Sequence, residues 1–168
     1  MSDAAVMAKD HAFLTGGGEM GRLIGAHDWS ATALGPISSW SPILKATIGL
    51  ILQSPAPMTT LWGDTGVMIY NAGYAEIAGP RHPSLLGAEV RKAWPEAADF
   101  NDRVLKTCLG GEKLSLESQE LNLDRGGGPE PAWFDLDYSP IPGEDGRPCG
   151  VIAIVHETTA KVRAEFLM

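Results

Sequence analysis

Residues Ala132 to Thr159 read AWFDLDYSPIPGEDGRPCGVIAIVHETT and contain two contrasting patterns of apolar residues. The first part alternates, so that Phe134, Leu136 and Tyr138 share one face of a strand. The segment VIAIV, residues 151–155, is apolar at every position, which is typical of a strand that is covered on both faces. The turn-rich PGEDGRP between the two segments predicts an antiparallel hairpin.

Three further strands are predicted upstream of this hairpin. MTTLWG and GVMIYN, residues 58–63 and 66–71, form a pair around a glycine-rich turn, and SLESQELNLD, residues 115–124, precedes the hairpin. Between them, residues 97–111 form an amphipathic helix that ends at two glycines. The order predicts an α+β fold, with one five-stranded antiparallel sheet that carries its helices on one face.

The first 55 residues are predicted to be helical. In SWSPILKATIGLILQS, residues 39–54, Ser41 is a plausible N-cap and Pro42 occupies the first helical position. One apolar stripe at a spacing of four is formed by Trp40, Leu44, Ile48 and Leu52. We expect this stripe to cover the outer face of the sheet, where Ile152 and Ile154 would otherwise meet water.

A glycine pattern near the N-terminus resembles a dinucleotide-binding loop. Gly16, Gly18 and Gly21 match G-x-G-x-x-G, which requires a buried strand before it and an acidic residue about 20 residues later. The sequence before Gly16 lacks a β-branched apolar run, and the later window is turn-rich and polar. We therefore interpret the pattern as a glycine-rich entry into a short helix.

Composition excludes several classes of partner. The chain has 168 residues, 44% of them hydrophobic, and a net charge of −8, which argues against nucleic-acid binding. No run reaches the roughly 18 apolar residues of a membrane span, so no membrane contact is expected. Cys108 and Cys149 lack metal-type spacing and are interpreted as reduced thiols, which predicts a cytoplasmic protein.

Three stretches together carry a family resemblance. IYNAGYAEIAG, residues 69–79, and residues 138–159, with their acidic-x-Thr ending, are similar to the second strand with the first helix and to the last hairpin of the PAS domain. This domain is a small sensory module found in front of bacterial signalling enzymes. GGGEMGRLIGAHDWSATALGPISSW, residues 16–40, is similar to the N-terminal cap of a subgroup joined to histidine kinases.

The resemblance implies a sensory and dimerisation module that relays a signal to a C-terminal output domain, with a histidine kinase as the leading candidate. The chain then divides into a helical cap at 1–55, a PAS core at 56–157 and the start of an exit helix at 158–168, which we expect to be cut from a longer protein. Two alternatives remain: a small-molecule-binding domain without a kinase, and a small stand-alone enzyme on an α+β barrel.

The best-known cofactors of PAS domains are disfavoured. The flavin-binding branch carries a cysteine in the short helix before the long one, whereas the corresponding GAEVRKAWPE, residues 87–96, has none. The haem-binding branch uses a histidine on the long helix, and residues 97–111 contain none. We predict no chromophore, metal or catalytic group; Asp135 and Asp137 are interpreted as solvated strand residues, and the four histidines are scattered.

A ligand pocket, if present, should lie between the long helix and the inner face of the sheet. The predicted lining consists of Trp94, Leu105, Phe134, Leu136, Tyr138 and Val155. An apolar site with a few polar groups is typical of small-molecule binding. A completely filled core is the competing expectation, because cores and apolar pockets use the same residue types.

Signal output is predicted at the end of the last strand. Thr159 should cap the exit helix and Glu157 should pair with a cation, either Arg147 or Lys161. An unidentified small ligand and an output domain in the same chain are the expected partners. A homodimer is also expected, formed through the cap segment that contains Trp40, Leu44 and Ile48.

Overall fold

The structure is a computed structural model and describes residues 9–167. It contains one antiparallel sheet in the order β2-β1-β5-β4-β3, with strands β1 (Met58–Trp62), β2 (Val67–Tyr70), β3 (Leu114–Asp124), β4 (Pro129–Pro142) and β5 (Pro148–Glu157). The predicted α+β class and all five strands are confirmed. The parts of the cap and of the exit segment that were assigned to residues 1–8 and 168 lie outside the described residues.

Along the chain, helices precede the first strand, connect strands β2 and β3, and follow the last strand. They are α1 (Gly18–Ala26), α2 (Pro42–Leu52), α3 (Ala72–Ala78), α4 (Val90–Ala93), α5 (Ala98–Leu109) and α6 (Thr159–Phe166). Short 3₁₀ turns cover Ala12–Leu14, Trp29–Ala31, Ile37–Ser39, Gly79–Arg81 and Pro95–Ala97. The long helix α5 contacts β3, β4 and β5, so that the interior lies between this helix and one face of the sheet.

The pleat of β1 separates the two faces of the sheet. Thr59 and Leu61 point to the interior beneath α5, whereas Thr60 and Trp62 point to the opposite, outer face. Thr60 and Trp62 are nevertheless buried, and so is their neighbour Ile69. The outer face is therefore covered at the β2–β1 edge of the sheet.

Helix α2 provides that cover and begins as the sequence predicts. The Ser41 hydroxyl accepts a hydrogen bond from the Leu44 backbone N–H, and Pro42 is the first helical residue. Trp40, Leu44 and Ile48 are all buried, and α2 contacts both β1 and β2. The apolar stripe of α2 is thus packed within the protein.

The expected cover of β5 is incomplete. Ile152 is partly buried, but the side chain of Ile154 remains 42% exposed. Both isoleucines lie on β5 beside β1, but Ile152 pairs with Thr60 in the middle of β1, whereas Ile154 pairs with Met58 at its first residue. The cover by α2 therefore does not extend to this end of the strand pair. The prediction that the cap shields both isoleucines is therefore wrong for Ile154.

Asn71 joins the cap to the core. Its side-chain oxygen accepts hydrogen bonds from the backbone N–H groups of Met58 and Tyr74, and its amide nitrogen donates to the carbonyls of Ile51 and Ala56. One buried side chain therefore caps α3 and fixes the chain that leaves α2.

The glycine-rich entry has no nucleotide-binding context. Within residues 9–17 the chain forms a 3₁₀ turn at Ala12–Leu14 and no strand, and α1 follows at Gly18. Gly16 and Gly18 have positive φ angles of 80° and 60°, so they serve the turn into α1. This local structure agrees with the interpretation of the glycines as an entry into a short helix.

Candidate functional site

A small cavity lies between α5, the turn before it and the inner face of the sheet, with a volume of about 60 Å³. Five of the residues predicted to line a pocket are found around it, namely Trp94, Phe134, Leu136, Tyr138 and Val155. They come from the segment before α5 and from strands β4 and β5. The sequence thus locates the cavity, and ligand binding at this cavity stays a prediction.

Leu105 is the predicted lining residue that does not reach the cavity. It is buried on α5, and a Cβ atom placed on Gly66 would lie 3.1 Å from its Cδ1 atom. Leu105 therefore packs under the β1–β2 turn. Helical spacing identifies the buried face of α5, but it does not tell which part of that face meets the cavity and which part meets the turn.

The cavity carries a few neutral polar groups. The Trp94 indole N–H donates to the Tyr74 hydroxyl over 3.0 Å, and burial raises the pKa of Tyr74 to about 12. Burial also raises the pKa of Tyr138. Thr59 also lines the cavity, and its buried hydroxyl has no hydrogen-bond partner among the described residues. None of the lining residues carries a charge, so the cavity favours a neutral occupant.

The size of the cavity limits what it can hold. One water needs roughly 10–15 Å³, and an engineered cavity that binds benzene measures about 150 Å³. Pockets for larger ligands measure about 300–1,000 Å³. At about 60 Å³ the cavity accommodates a few waters or a very small organic molecule.

The cavity does not fit a flavin. It is far smaller than a pocket for a ligand of that class, and none of its lining residues is a cysteine. Cys108 is buried on α5 and Cys149 lies at the start of β5, and neither contributes to the lining. The absence of a flavin in the protein itself remains a prediction.

The second predicted feature, the junction between β5 and α6, is built around Glu157. Both of its carboxylate oxygens accept hydrogen bonds from Arg125, over 2.7 and 2.9 Å. The prediction that Arg147 or Lys161 pairs with Glu157 is wrong. Arg147 lies in the exposed β4–β5 turn, and Lys161 is exposed on α6. Arg125 follows the end of β3, and sheet pairing brings it to Glu157 from 32 positions away.

Thr159 does not cap α6 as predicted. The N-cap position belongs to Thr158, without a side-chain cap, and Thr159 is the first residue of the helix. The Thr159 hydroxyl instead donates to Glu157 over 2.7 Å and accepts from the backbone N–H of Trp133 over 3.0 Å. The backbone N–H of Thr158 donates to the Trp133 carbonyl over 2.7 Å. The exit helix is therefore fastened to β4 as well as to β5.

The two aspartates of β4 have hydrogen-bond partners within the sheet. Asp137 accepts a hydrogen bond from the Ser115 hydroxyl, and Asp135 accepts one from the Ser118 backbone N–H, where a bulge interrupts β3.

The part of the chain that the structure describes contains no group of three or more side chains able to hold a metal ion. It also contains no helix of the length and apolarity that crossing a membrane requires.

Three residues described above escaped the sequence-based prediction. Arg125 lies in a turn-rich segment, and its partner Glu157 comes from a distant part of the chain. Thr59 lies in β1, and the alternation of side chains along a strand could have indicated that it faces the interior. Asn71 directly precedes a helix, and asparagine at that position is typical of a helix cap.

One known protein family matches the chain. A profile of the family described as "PAS fold" matches residues 52–163, which is more than half of the chain. Among curated protein sequences, none matches this chain.

Solved structures resemble the chain at low sequence identity. The PAS domain of Bordetella pertussis BvgS matches with a TM-score of 0.58 and 18% identity, over 75% of this chain and 95% of that one. A variant of RsLOV matches with a TM-score of 0.52 and 18% identity, over 68% and 67%. The Vibrio cholerae VqmA dimer matches with a TM-score of 0.51 and 16% identity over 68% of this chain and 51% of its own, so the chain spans about half of VqmA. These similarities concern the fold alone.

Proposed function

This chain belongs to the PAS-fold family, and from that premise we propose that it relays a signal from its core to a C-terminal histidine kinase of a two-component system. PAS domains are sensory modules, so the sensory role follows from the family. The kinase is supported by the similarity of residues 16–40 to the cap of a subgroup that precedes such enzymes. We retain the division into a cap at 1–55, a core at 56–157 and an exit segment at 158–168.

The observation that carries this proposal is the hydrogen-bonded junction between the sheet and the exit helix. Thr159 links the first turn of α6 to Glu157 on β5 and to Trp133 on β4. A displacement of either strand would therefore act on the start of α6. Val162 is half-buried and Phe166 is 79% exposed, and these residues give the helix an apolar edge that a partner helix can contact.

The relay is tested in the full-length protein. We expect Thr159→Ala and Glu157→Ala to uncouple autophosphorylation from its input, while the melting temperature of the 168-residue chain falls by no more than about 4 °C. Ser115→Ala is the matched control, because it removes an exposed hydroxyl that donates only to Asp137 among the described residues. Unchanged regulation in both variants would contradict the relay, and a large fall in melting temperature would indicate a purely structural pair.

A second candidate function is the binding of a small neutral molecule in the cavity. The free hydroxyl of Thr59 and the phenol of Tyr138 favour an occupant with one hydrogen-bonding group and a short apolar body. The uncharged lining argues against a stand-alone enzyme, which would need a group that titrates near neutral pH, because burial raises the pKa of both tyrosines at the cavity. This candidate and the relay are compatible, because an occupant could supply the input.

Homodimerisation is part of the proposal. Trp40, Leu44 and Ile48, named above for the dimer, are buried within the protein, so an interface at the cap would use other residues. Leu50 on α2 is 71% exposed, and Ile154 on the neighbouring sheet face is 42% exposed. Apolar side chains left open on one side of a domain favour self-association. We also propose a cytoplasmic location, which the two free cysteines support, and no nucleic-acid partner, which the net charge of −8 supports.

A further inference from the structure

Arg81 binds three separate elements at the outside of the cavity wall. Its guanidinium donates to the carboxylate of Glu96 over 3.0 Å, to the carbonyl of Asp124 over 2.7 Å and to the carbonyl of Ala93. The guanidinium carbon also lies 4.5 Å from the centroid of the Trp94 ring. One side chain thus holds the cavity-lining tryptophan against the end of β3.

Glu96 completes this clamp from the other side. The oxygen that accepts from Arg81 also accepts from the backbone N–H of Asp124 over 2.9 Å. Burial raises the pKa of Glu96, but the backbone hydrogen bonds and the bond from Arg81 outweigh burial, so the pKa lies below its ordinary value. The Arg81 and Glu96 side chains are only 25% and 15% exposed, which distinguishes them from solvated surface pairs.

Arg125, the residue after Asp124, binds Glu157 at the end of β5. Arg125 donates to both oxygens of Glu157 and to the carbonyl of Ile77, another residue that lines the cavity. Asp124 and Arg125 are consecutive, so the clamp on Trp94 and the ion pair at the junction are attached to the same short piece of backbone. No flexible segment separates them.

We propose that Arg81 is a positioning residue that couples Trp94 at the cavity to Glu157, at the end of β5, through the consecutive residues Asp124 and Arg125. This inference rests on the proposed relay and supplies its input side. A shift of Trp94 moves the Arg81 guanidinium that stacks on it. Arg81 in turn moves the Asp124 carbonyl, and Arg125 transmits the displacement to Glu157.

The geometry requires arginine at position 81. A planar guanidinium donates in several fixed directions and stacks on an aromatic ring, whereas a lysine ammonium is a single point charge. Lysine can retain the ion pair with Glu96 while losing the stacking on Trp94 and part of the carbonyl bonding. The Arg81→Lys variant therefore separates the charge of residue 81 from its role as a clamp.

The test is a double-mutant cycle between residues that do not touch. Arg81→Lys, Glu157→Gln and the double variant are compared in the 168-residue chain by urea unfolding and by hydrogen exchange of the α6 amides. The control cycle pairs Arg91→Lys with Glu157→Gln, because Arg91 forms its ion pair with Asp102 on α5. The position of the Trp94 indole N–H resonance reports on the clamp directly.

We expect the Arg81–Glu157 cycle to deviate from additivity by at least about threefold in the unfolding or exchange equilibrium, and the control cycle to be additive. Glu157→Gln should also move the Trp94 resonance. Additive effects in the Arg81 cycle, together with an unmoved Trp94 resonance, would overturn the inference. If, in that case, Glu157→Gln still raises the hydrogen exchange of the α6 amides, the relay stands and only its link to Arg81 fails. If Glu157→Gln leaves this exchange unchanged, the relay itself fails.

Discussion

Glu157 lies at the centre of the junction between the sheet and the exit helix. It receives two hydrogen bonds from Arg125 and one from Thr159, and it ends the last strand of the sheet. The hydrogen bonds from Arg125 lower its pKa most, burial opposes them, and the Thr159 hydroxyl lowers it further. The net pKa lies below the ordinary value of 4.5. The ionised form is therefore the one that the folded protein stabilises.

This lowered pKa predicts a pH dependence of stability. A carboxyl group whose pKa is lower in the folded state stabilises the fold above its unfolded pKa and loses that contribution as the pH falls through the folded pKa. We expect the difference in unfolding free energy between the wild type and Glu157→Gln to be largest near about pH 6 and to shrink below about pH 4.5. Urea unfolding across this range measures it.

The control for this experiment is Glu144→Gln, which removes an exposed carboxylate from the β4–β5 turn. Its effect on the unfolding free energy should remain small throughout the same pH range. A wild-type advantage over Glu157→Gln that stayed constant down to about pH 3 would show that the carboxylate charge is not what Arg125 and Thr159 bind.

Single-residue predictions succeeded where local chemistry determines the partner. The Ser41 cap needs only the residues of its own helix. Glu157 was correctly identified as a paired carboxylate, but its cation was wrong, because Arg125 is brought to it by the pairing of β3, β4 and β5. Sequence distance carries no information about such partners.

Elements were predicted better than their contacts. Alternation predicts β4, and the continuous apolar run predicts that β5 is covered on both faces. How far the cover extends depends on the angle and position of α2 on the sheet, which the periodicity of α2 does not fix. Ile154 remained exposed for that reason.

The exposed apolar residues on α2 and β5 predict a dimer that a charged substitution would dissociate. Leu50→Lys and Ile154→Lys should each shift the protein from dimer to monomer in sedimentation equilibrium, because a lysine in an apolar interface must be desolvated. Glu144→Lys, in the exposed β4–β5 turn, changes the net charge by more and should leave the dimer intact.

A wild type that is monomeric at all accessible concentrations would refute the dimer. A dimer that survives both apolar-to-lysine variants would place the interface elsewhere on the domain. Truncation of residues 1–55 adds a separate expectation: exposure of Thr60, Trp62 and Ile69 should make the core aggregate. A soluble, equally stable core would show that the cap is not a cover.

At the scale of the whole molecule, the cavity and the exit helix lie in one connected framework. The cavity wall includes Trp94 and Ile77, and both are tied through arginines to the end of β3. The framework then continues through Glu157 and Thr159 into α6. We therefore expect a change inside the cavity to alter the exit helix by this route.

The most direct measurement fills the cavity without a ligand. Ala97 lines the cavity, and Ala97→Val places two methyl groups in its volume of about 60 Å³. Hydrogen exchange of residues 159–166 is compared between the wild type, Ala97→Val and the same change in a Glu157→Gln background, with Ala33→Val at an exposed position as control. We predict that Ala97→Val changes exchange in α6 by at least about threefold, that Glu157→Gln abolishes this response, and that Ala33→Val has no effect. An Ala97→Val protein that is folded, with an altered melting temperature but unchanged exchange in α6, would contradict the claim.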